Sequence, residues 1–286
     1  MTDRLFFLES EGGKMKSESL FHVLPVPYEK TVSYGTGTCR GPEAIIAASQ
    51  QLEAFDGISV PLEDGIFTQA AVDCSGEESE VLTEIESRVA EILARGKIPV
   101  VLGGEHTVSY APIAAHKKHF GKIGVVHFDA HADLRDVMDG VKFAHGCVMR
   151  RVHELGIPLI QIGTRGYSIE EMDYRRANDD ISFQDAPQIY MENSFSIKFP
   201  GNFPDDIYIS IDVDGFDPSV FPHTGTPVPG GLFWYDFFRF IDSIPASKRI
   251  RGFDVVELAP VSDSVVSDYA AAQLVYNMMG IISRRG

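Results

Sequence analysis

The chain has 286 residues, of which 44% are hydrophobic and 23% charged, a composition typical of a globular domain. Its formal net charge of −16 argues against nucleic acid and anionic membranes as partners. No run of about 18 apolar residues is present, so we expect no membrane span. Three cysteines without CxxC spacing favour a reduced, cytoplasmic chain.

Predicted strands alternate with predicted helices along most of the chain. We expect residues 1–18 to form a polar arm and residues 19–286 a single domain. Apolar and β-branched runs predict strands at 20–26, 70–74, 98–102, 123–128, 159–163, 181–183, 207–211 and 252–256. Periodic apolar residues predict helices at 43–52, 77–95, 108–119, 147–155, 169–178, 235–243 and 267–282, whereas residues 184–204 show no clear pattern. This alternation predicts right-handed βαβ units, a mainly parallel central sheet and the α/β fold class.

Potential metal ligands follow three of the predicted strands. In an extended chain, side chains two residues apart point the same way, and ligands of open parallel sheets bind outside the carboxyl ends of the strands. The candidates share this position: His106 after the strand at 98–102, Asp129, His131 and Asp133 after the strand at 123–128, and Asp212 and Asp214 after the strand at 207–211. Glu257 stands at the end of the strand at 252–256.

A single aspartate at a strand end is usually a cap or turn residue, and a single histidine in an apolar strand is usually packed in the core. Six such residues at three strand ends change this interpretation, because burying several carboxylates without cations is prohibitive. Oxygen-rich ligation with some imidazole and no thiolate favours Mn²⁺ over a structural Zn²⁺ site. Two divalent cations would balance four aspartates and acidify a shared water, which indicates metal-assisted hydrolysis without a covalent enzyme intermediate.

The sequence resembles the arginase/agmatinase (ureohydrolase) family in three signatures. These are Gly-Gly-Glu-His ending at His106, the Asp-Ala-His-x-Asp block at 129–133, and Ser-x-Asp-x-Asp at 210–214. Blocks at 41–43, 224–231 and 254–257 extend the resemblance over about residues 20–283. The implied fold is a three-layer α/β/α sandwich, usually assembled into homotrimers or homohexamers.

The resemblance also implies roles for individual residues. Two Mn²⁺ ions per chain are expected, one held by His106, Asp129, Asp133 and Asp212 and the other by Asp129, His131, Asp212 and Asp214. Asp129 and Asp212 would bridge the ions. Catalytic roles are expected for His145, Asp133 and Glu257: Glu257 would bind the guanidinium of a small cationic guanidino substrate, and His145 would lie near that substrate and relay protons.

Within the family, residues 133–151 resemble the agmatinase branch. The arginase branch carries an aspartate after the strand that here ends at Gly163, but this chain reads Arg165-Gly166-Tyr167. The expected substrate is agmatine, cleaved to putrescine and urea. Aminopropylagmatine, guanidinobutyrate or arginine are alternatives of the same class, and an inactive metal-binding regulatory or structural subunit is an alternative of another class. Asp136 and Asp139 could favour a cationic substrate tail.

Other histidines and the cysteines receive less specific interpretations. His127 is expected to support the ligands or to pack, and helical His116, His119 and His153 are expected to be solvated. His223 stands where the family loop usually has glycine, so its effect on the pocket rim stays open. Cys39, Cys74 and Cys147 have no base nearby in sequence and are interpreted as packing residues.

Overall fold

The central element of the fold is one parallel sheet of eight strands. The structure, a computed structural model, describes residues 5–11 and 18–285. The strands are β1 (Phe21–Val26), β2 (Ile66–Thr68), β3 (Ile98–Gly103), β4 (Gly124–Phe128), β5 (Leu159–Ile162), β6 (Ile181–Gln184), β7 (Asp206–Asp212) and β8 (Arg249–Val256). Their order across the sheet is β2-β1-β3-β8-β7-β4-β5-β6, and every neighbouring pair runs parallel.

Helices cover both faces of this sheet. They are α1 (Gly41–Ser49), α2 (Glu78–Ala94), α3 (Tyr110–Phe120), α4 (Val148–His153), α5 (Ile169–Ala177), α6 (Ala186–Glu192), α7 (Trp234–Asp242) and α8 (Val266–Arg285). Helices α1, α7 and α8 share one core cluster with the sheet, while α2, α3 and α4 pack on the opposite face. The α/β/α sandwich expected from the sequence is therefore confirmed.

The two cores follow from the alternation of side chains along buried strands. In β3, Val100 and Leu102 belong to the core beneath α1 and α8, whereas Val101 belongs to the core beneath α2. A strand covered on both faces has no solvated side, so its sequence is apolar throughout. Because both faces are covered, polar side chains within such strands are buried, and those that can face a cavity lie at the strand ends.

The second strand lies earlier in the chain than expected. Residues 70–74 were predicted as a strand, but β2 consists of Ile66–Thr68, which pairs with Phe21–Val23 of β1. The chain still follows β1 beyond this point, since Gln69 and Val72 donate backbone hydrogen bonds to the carbonyls of Val23 and Pro25. Pro25 has no N–H to return such a bond, so a regular ladder ends there.

Part of the segment expected to be a polar arm packs against the domain. Phe7 and Leu8 are buried, and their N–H groups donate to Thr68 Oγ1 and Ser49 Oγ, each at 2.9 Å. The remainder of the arm prediction at 1–4 and 12–17 lies outside the described residues.

His116 was expected to be solvated, and this prediction is wrong. Helix α3 lies between the cores beneath α2 and α4, so most of its circumference is covered. His116 is fully buried, with Nδ1 2.6 Å from the carbonyl oxygen of Pro112 and Nε2 3.2 Å from that of Arg251. Burial lowers the pKa of His116 to about 4, which keeps its ring neutral. His153 is also largely covered, beside Tyr174 and Asp180, whereas His119 is exposed as expected.

Across residues 5–11 and 18–285, none of the helices has the length and apolar character needed to cross a membrane.

Candidate active site

The predicted site residues meet at the carboxyl ends of four adjacent strands. In sheet order these strands are β3, β8, β7 and β4. His106 follows β3, and Glu257 follows β8. Asp212 is the last residue of β7, with Asp214 just beyond it, and Asp129, His131 and Asp133 follow β4. All are buried except His131, whose side chain is 31% exposed. The topology therefore brings together residues separated by up to 151 positions in the chain.

Three carboxylates converge on one nitrogen of His106. Nδ1 lies 3.2 Å from Asp129 Oδ2, 3.1 Å from Asp133 Oδ2 and 3.3 Å from Asp212 Oδ2. This buried nitrogen nevertheless makes no hydrogen bond. Donor atoms that surround a common point without bonding to one another are arranged as the ligands of a cation are. The residues present therefore fit a metal ion at this position.

A second group shares Asp129 with the first. Asp129, His131 and Asp214 place ligand atoms within 4.8 Å of one another, and so do His106, His127, Asp129 and Asp133. His131 Nδ1 lies 3.1 Å from Asp214 Oδ2 and 3.5 Å from Asp129 Oδ1. Because Asp129 belongs to both groups, the cluster could hold two ions with one bridging carboxylate.

The electrostatics of this cluster call for positive charge. Burial and the adjacent Asp214 and Asp129 raise the pKa of Asp212 well above its ordinary range. Burial opposes ionisation of Asp129 as well, but the neighbouring histidines hold the pKa of this carboxyl well below its usual value. Asp129 and Asp214 raise the pKa of His131 to about 12 against the effect of burial. These shifts reflect several carboxylates buried close together, a negative charge that bound cations would offset.

Two hydrogen-bonded chains orient the ligands from behind. His127 Nε2 lies 2.8 Å from Asp129 Oδ2, and Gln161 Nε2 donates to His127 Nδ1 at 3.1 Å. His127 therefore donates to Asp129, in agreement with the supporting role expected for it. Outer contacts of this kind fix the orientation and basicity of ligands.

The corresponding chain behind His106 was not recognised in the sequence. His106 Nε2 lies 3.0 Å from Ser210 Oγ, which donates to Asp254 Oδ1 at 2.8 Å. Ser210 and Asp254 stand within the motif blocks at 210–214 and 254–257. The sequence signal that could have indicated this chain is Asp254, a charged residue inside an apolar strand.

Glu257 adopts an unusual backbone conformation at the edge of the cluster. Its φ is +65°, a region that costs non-glycine residues energy, and Asp133 has φ +54°. Glu257 Oε1 accepts the backbone N–H of His106 at 2.6 Å, and burial raises the pKa of this carboxyl to about 8. The left-handed turn aims the carboxylate toward the ligands instead of along the strand.

A cavity of about 370 Å³ lies above the cluster. Its lining includes the ligands His131 and Asp214, together with Glu257, His145 and Tyr167. His145 is held by two hydroxyl groups, since its Nε2 lies 2.8 Å from Ser33 Oγ and its Nδ1 3.3 Å from Thr31 Oγ1. The cavity thus joins a candidate metal cluster to a buried acid and an imidazole.

One wall of the cavity is formed by the segment after β5. Arg165 donates to backbone carbonyls of Asp214 and Val228 at 2.7 Å and 2.6 Å, which ties three loops together. Gly166 lies so close to His131 that a Cβ there would be 2.9 Å from the imidazole Cδ2. The structure therefore leaves little room for a side chain at position 166.

The loop at 134–144 does not present its aspartates to the cavity. Asp136 pairs with Arg151 at 2.7 Å, and the cavity lining includes neither Asp136 nor Asp139. The expectation that these two acids favour a cationic tail is therefore not supported by their positions. Arg135 and Glu171 line the cavity instead, with Arg135 Nε 3.7 Å from Glu171 Oε2.

His223 and the three cysteines lie away from this chemistry. His223 Nδ1 is 3.0 Å from Ser267 Oγ, and this histidine is not part of the cavity lining. Cys39, Cys74 and Cys147 are free thiols that do not line the cavity either.

Gly104, two residues before His106, lies close to the backbone of Tyr28. We expect the Gly104→Ala variant to be less stable than the wild type. A Cβ at this position would lie 2.0 Å from the carbonyl oxygen of Tyr28, which accepts the backbone N–H of Glu105 at 2.9 Å. We expect a loss of about 1–3 kcal/mol or more in the free energy of unfolding, measured by urea denaturation. Gly201→Ala is the matched control, because nothing lies within 4 Å of its Cβ. Equal stability of the two variants would contradict the close approach.

Comparisons with known proteins agree with this geometry. The model of the arginase family matches residues 19–280. The chain is 38% identical over 283 residues to an N(1)-aminopropylagmatine ureohydrolase of Synechocystis, with 96% of this chain and 92% of that protein covered. It is 32% identical to an agmatinase of Pyrococcus horikoshii, with 92% of each chain covered. The crystal structure of an agmatine ureohydrolase of Thermoplasma volcanium superposes with a TM-score of 0.82 at 30% identity, covering 99% of this chain and 95% of that one. The chain therefore belongs to the arginase family, as an agmatinase-like ureohydrolase.

Proposed function

We propose that this enzyme hydrolyses the guanidinium group of agmatine to give putrescine and urea. The observation that carries this proposal is the convergence of Asp129, Asp133 and Asp212 on His106 Nδ1 beneath a cavity that also contains Glu257. A candidate hydrolytic centre and a buried carboxyl group that could pair with a guanidinium thus share one cavity.

Two Mn²⁺ ions are the cofactor that this donor set fits. His106, Asp129, Asp133 and Asp212 would hold one ion, and Asp129, His131, Asp212 and Asp214 the other. Carboxylates and imidazoles without thiolates suit Mn²⁺. When bound, such ions acidify water and so supply a nucleophile near neutral pH.

The protein side chains would bind the substrate and handle its protons. Glu257 is buried beside the cluster, and a guanidinium opposite it would restore its charged form despite a pKa of about 8. His145 lines the same cavity and offers an imidazole for proton transfer to the leaving amine. Asp133 would contribute to catalysis as one of the residues that hold a metal ion.

Arginine is a poor candidate substrate for physical reasons. Its carboxylate would be desolvated beside a cluster rich in aspartates, and an unpaired buried charge is costly. Agmatine keeps the amine of arginine but lacks the carboxylate, so it avoids this cost.

N(1)-Aminopropylagmatine is a second candidate, favoured by the 38% identical relative named as its ureohydrolase. Its tail carries a further cationic amine. Tyr34, Tyr167 and Glu171 line the cavity and would offer this tail two aromatic faces and one carboxylate. The product would then be the corresponding triamine instead of putrescine.

Substrate preference is tested by urea release under identical Mn²⁺ loading. We expect kcat/KM for agmatine to exceed that for arginine by at least about 100-fold, since missing partners discriminate by orders of magnitude. The panel also includes N(1)-aminopropylagmatine and guanidinobutyrate. A higher kcat/KM for N(1)-aminopropylagmatine than for agmatine would assign the second candidate, and a preference for arginine would refute the branch assignment.

The same assay tests the alternative of another class. No urea from any of these substrates, by protein that contains two metal ions per chain, would favour an inactive metal-binding regulatory or structural subunit. The expected homotrimer or homohexamer and the cytoplasmic location stay predictions. Light scattering and cell fractionation test them.

A further inference from the structure

Glu105 is a buried carboxylate that the metal cluster does not use. It precedes His106, is fully buried and faces away from the ligands toward the loop after β1. Its Oε2 accepts the backbone N–H groups of Lys30 and Thr31, the latter at 2.6 Å, and its Oε1 lies 2.6 Å from Thr31 Oγ1. Such a dense set of donors holds the carboxylate and the loop in one fixed arrangement.

The hydroxyl of Thr31 lies between this carboxylate and His145. Besides Glu105 Oε1 at 2.6 Å, Thr31 Oγ1 has two neighbours in His145, the backbone N–H at 3.1 Å and Nδ1 at 3.3 Å. A hydroxyl has one proton to donate. The charged and nearest acceptor receives it, so the oxygen can only accept hydrogen bonds from His145.

This restriction determines where the imidazole carries its proton. Facing an oxygen that only accepts, Nδ1 of His145 must be protonated. A neutral imidazole has a single N–H, so Nε2 bears the lone pair and accepts from Ser33 Oγ at 2.8 Å. Ser33 and His145 both line the cavity, so this contact lies at the cavity wall.

We infer that Glu105 is a positioning residue, which acts through Thr31 to fix His145 as the Nδ1–H tautomer with an unprotonated Nε2 that can accept a proton. The inference rests on the proposed hydrolysis. In that reaction the water oxygen becomes the carbonyl oxygen of urea, the bond from the guanidinium carbon to the alkyl nitrogen breaks, and both water protons end on the leaving amine. Nε2 of His145 accepts one of these protons and passes it on. Carboxylates that orient histidines in catalytic triads have an equivalent effect.

The test uses the full-length, Mn²⁺-loaded enzyme and two substitutions at Thr31. Thr31→Val keeps the shape but removes the hydroxyl, whereas Thr31→Ser retains it. We expect Thr31→Val to lower kcat at least about tenfold, with KM within about twofold of wild type, because general acid–base catalysis is impaired while binding is not. Thr31→Ser should restore most of the rate.

A double-mutant cycle separates this role from simple loop stability. In a His145→Ala background, Thr31→Val should cost no further activity, since its effect passes through the imidazole. Glu29→Gln is the matched control: Glu29 accepts from Gly37 and Cys39 in the same loop, at 2.9 Å and 2.8 Å, but does not reach His145. Its kcat should stay within about twofold of wild type. Glu105→Gln is a second route if Thr31→Val does not fold, with the same dependence on His145.

Several outcomes would overturn the inference. Thr31→Val with normal kcat, while His145→Ala is impaired, rejects the positioning role but leaves the proposed function intact. Equal losses for Thr31→Val with and without His145, or a similar loss for Glu29→Gln, would indicate loop stability alone. Full activity of His145→Ala would reject the proton-transfer role proposed for His145 together with the inference.

Discussion

Asp129→Ala is expected to lose both bound metal ions and to reduce kcat/KM by at least about a thousandfold, or roughly 4 kcal/mol. Its carboxylate oxygens lie near both His106 and His131, so one substitution removes a donor from each group. Asp212→Ala should be similarly damaging, whereas loss of a ligand to one ion should be less severe. The measurements are metal per chain by elemental analysis and urea release.

Thermal unfolding gives a readout of the same cluster that does not depend on turnover. A cation that binds only the folded state stabilises it, so the proposed Mn²⁺ should raise the Tm of the wild type and have little effect on the Tm of Asp129→Ala. Asp179→Ala is the control, because Asp179 is exposed and precedes edge strand β6. Full turnover by metal-free protein would contradict the mechanism.

Glu257→Gln is expected to retain two metal ions but to lose at least about 2–3 kcal/mol of transition-state stabilisation. The substitution keeps an oxygen that can accept from His106 N–H, and it removes the anion opposite the substrate cation. The measurements are kcat/KM for agmatine and metal content in the same preparation.

The exposed Glu63 provides an isosteric control, since Glu63→Gln changes the net charge equally at a distance from the cavity. Near-normal kcat/KM for Glu257→Gln would show that this carboxylate is not the guanidinium partner. A parallel loss of metal would instead show that Glu257 acts by supporting the His106 backbone.

The convergence of the candidate ligands could be predicted from sequence because their signal is local. Asp129 and His131 stand two residues apart directly after an apolar strand, and Asp212 and Asp214 repeat the pattern. Parallel topology then requires that such strand ends lie on one edge of the sheet. The α/β fold followed from the same alternation of strands and helices.

Contacts between distant segments could not be predicted in this way. Glu105 reaches Thr31 across 74 positions, and nothing in either local pattern indicates the pairing. His116 lies on a helix covered by two neighbours, so its burial depends on packing that one helix does not reveal. The sequence allows Asp136 to face the cavity, but in the fold this carboxylate pairs with Arg151 from a helix 15 positions later.

The position of β8 has a consequence for how the chain acquires activity during synthesis. This strand is the last to be made, yet it lies between β3 and β7 and joins the N-terminal strands to the other half of the sheet. His106 belongs to the first half, while the aspartate ligands belong to the second. A nascent chain that ends before residue 249 therefore has no strand to hold the two halves in register. Assembly of the candidate metal cluster must wait until the ribosome has released the chain through β8, Arg249–Val256.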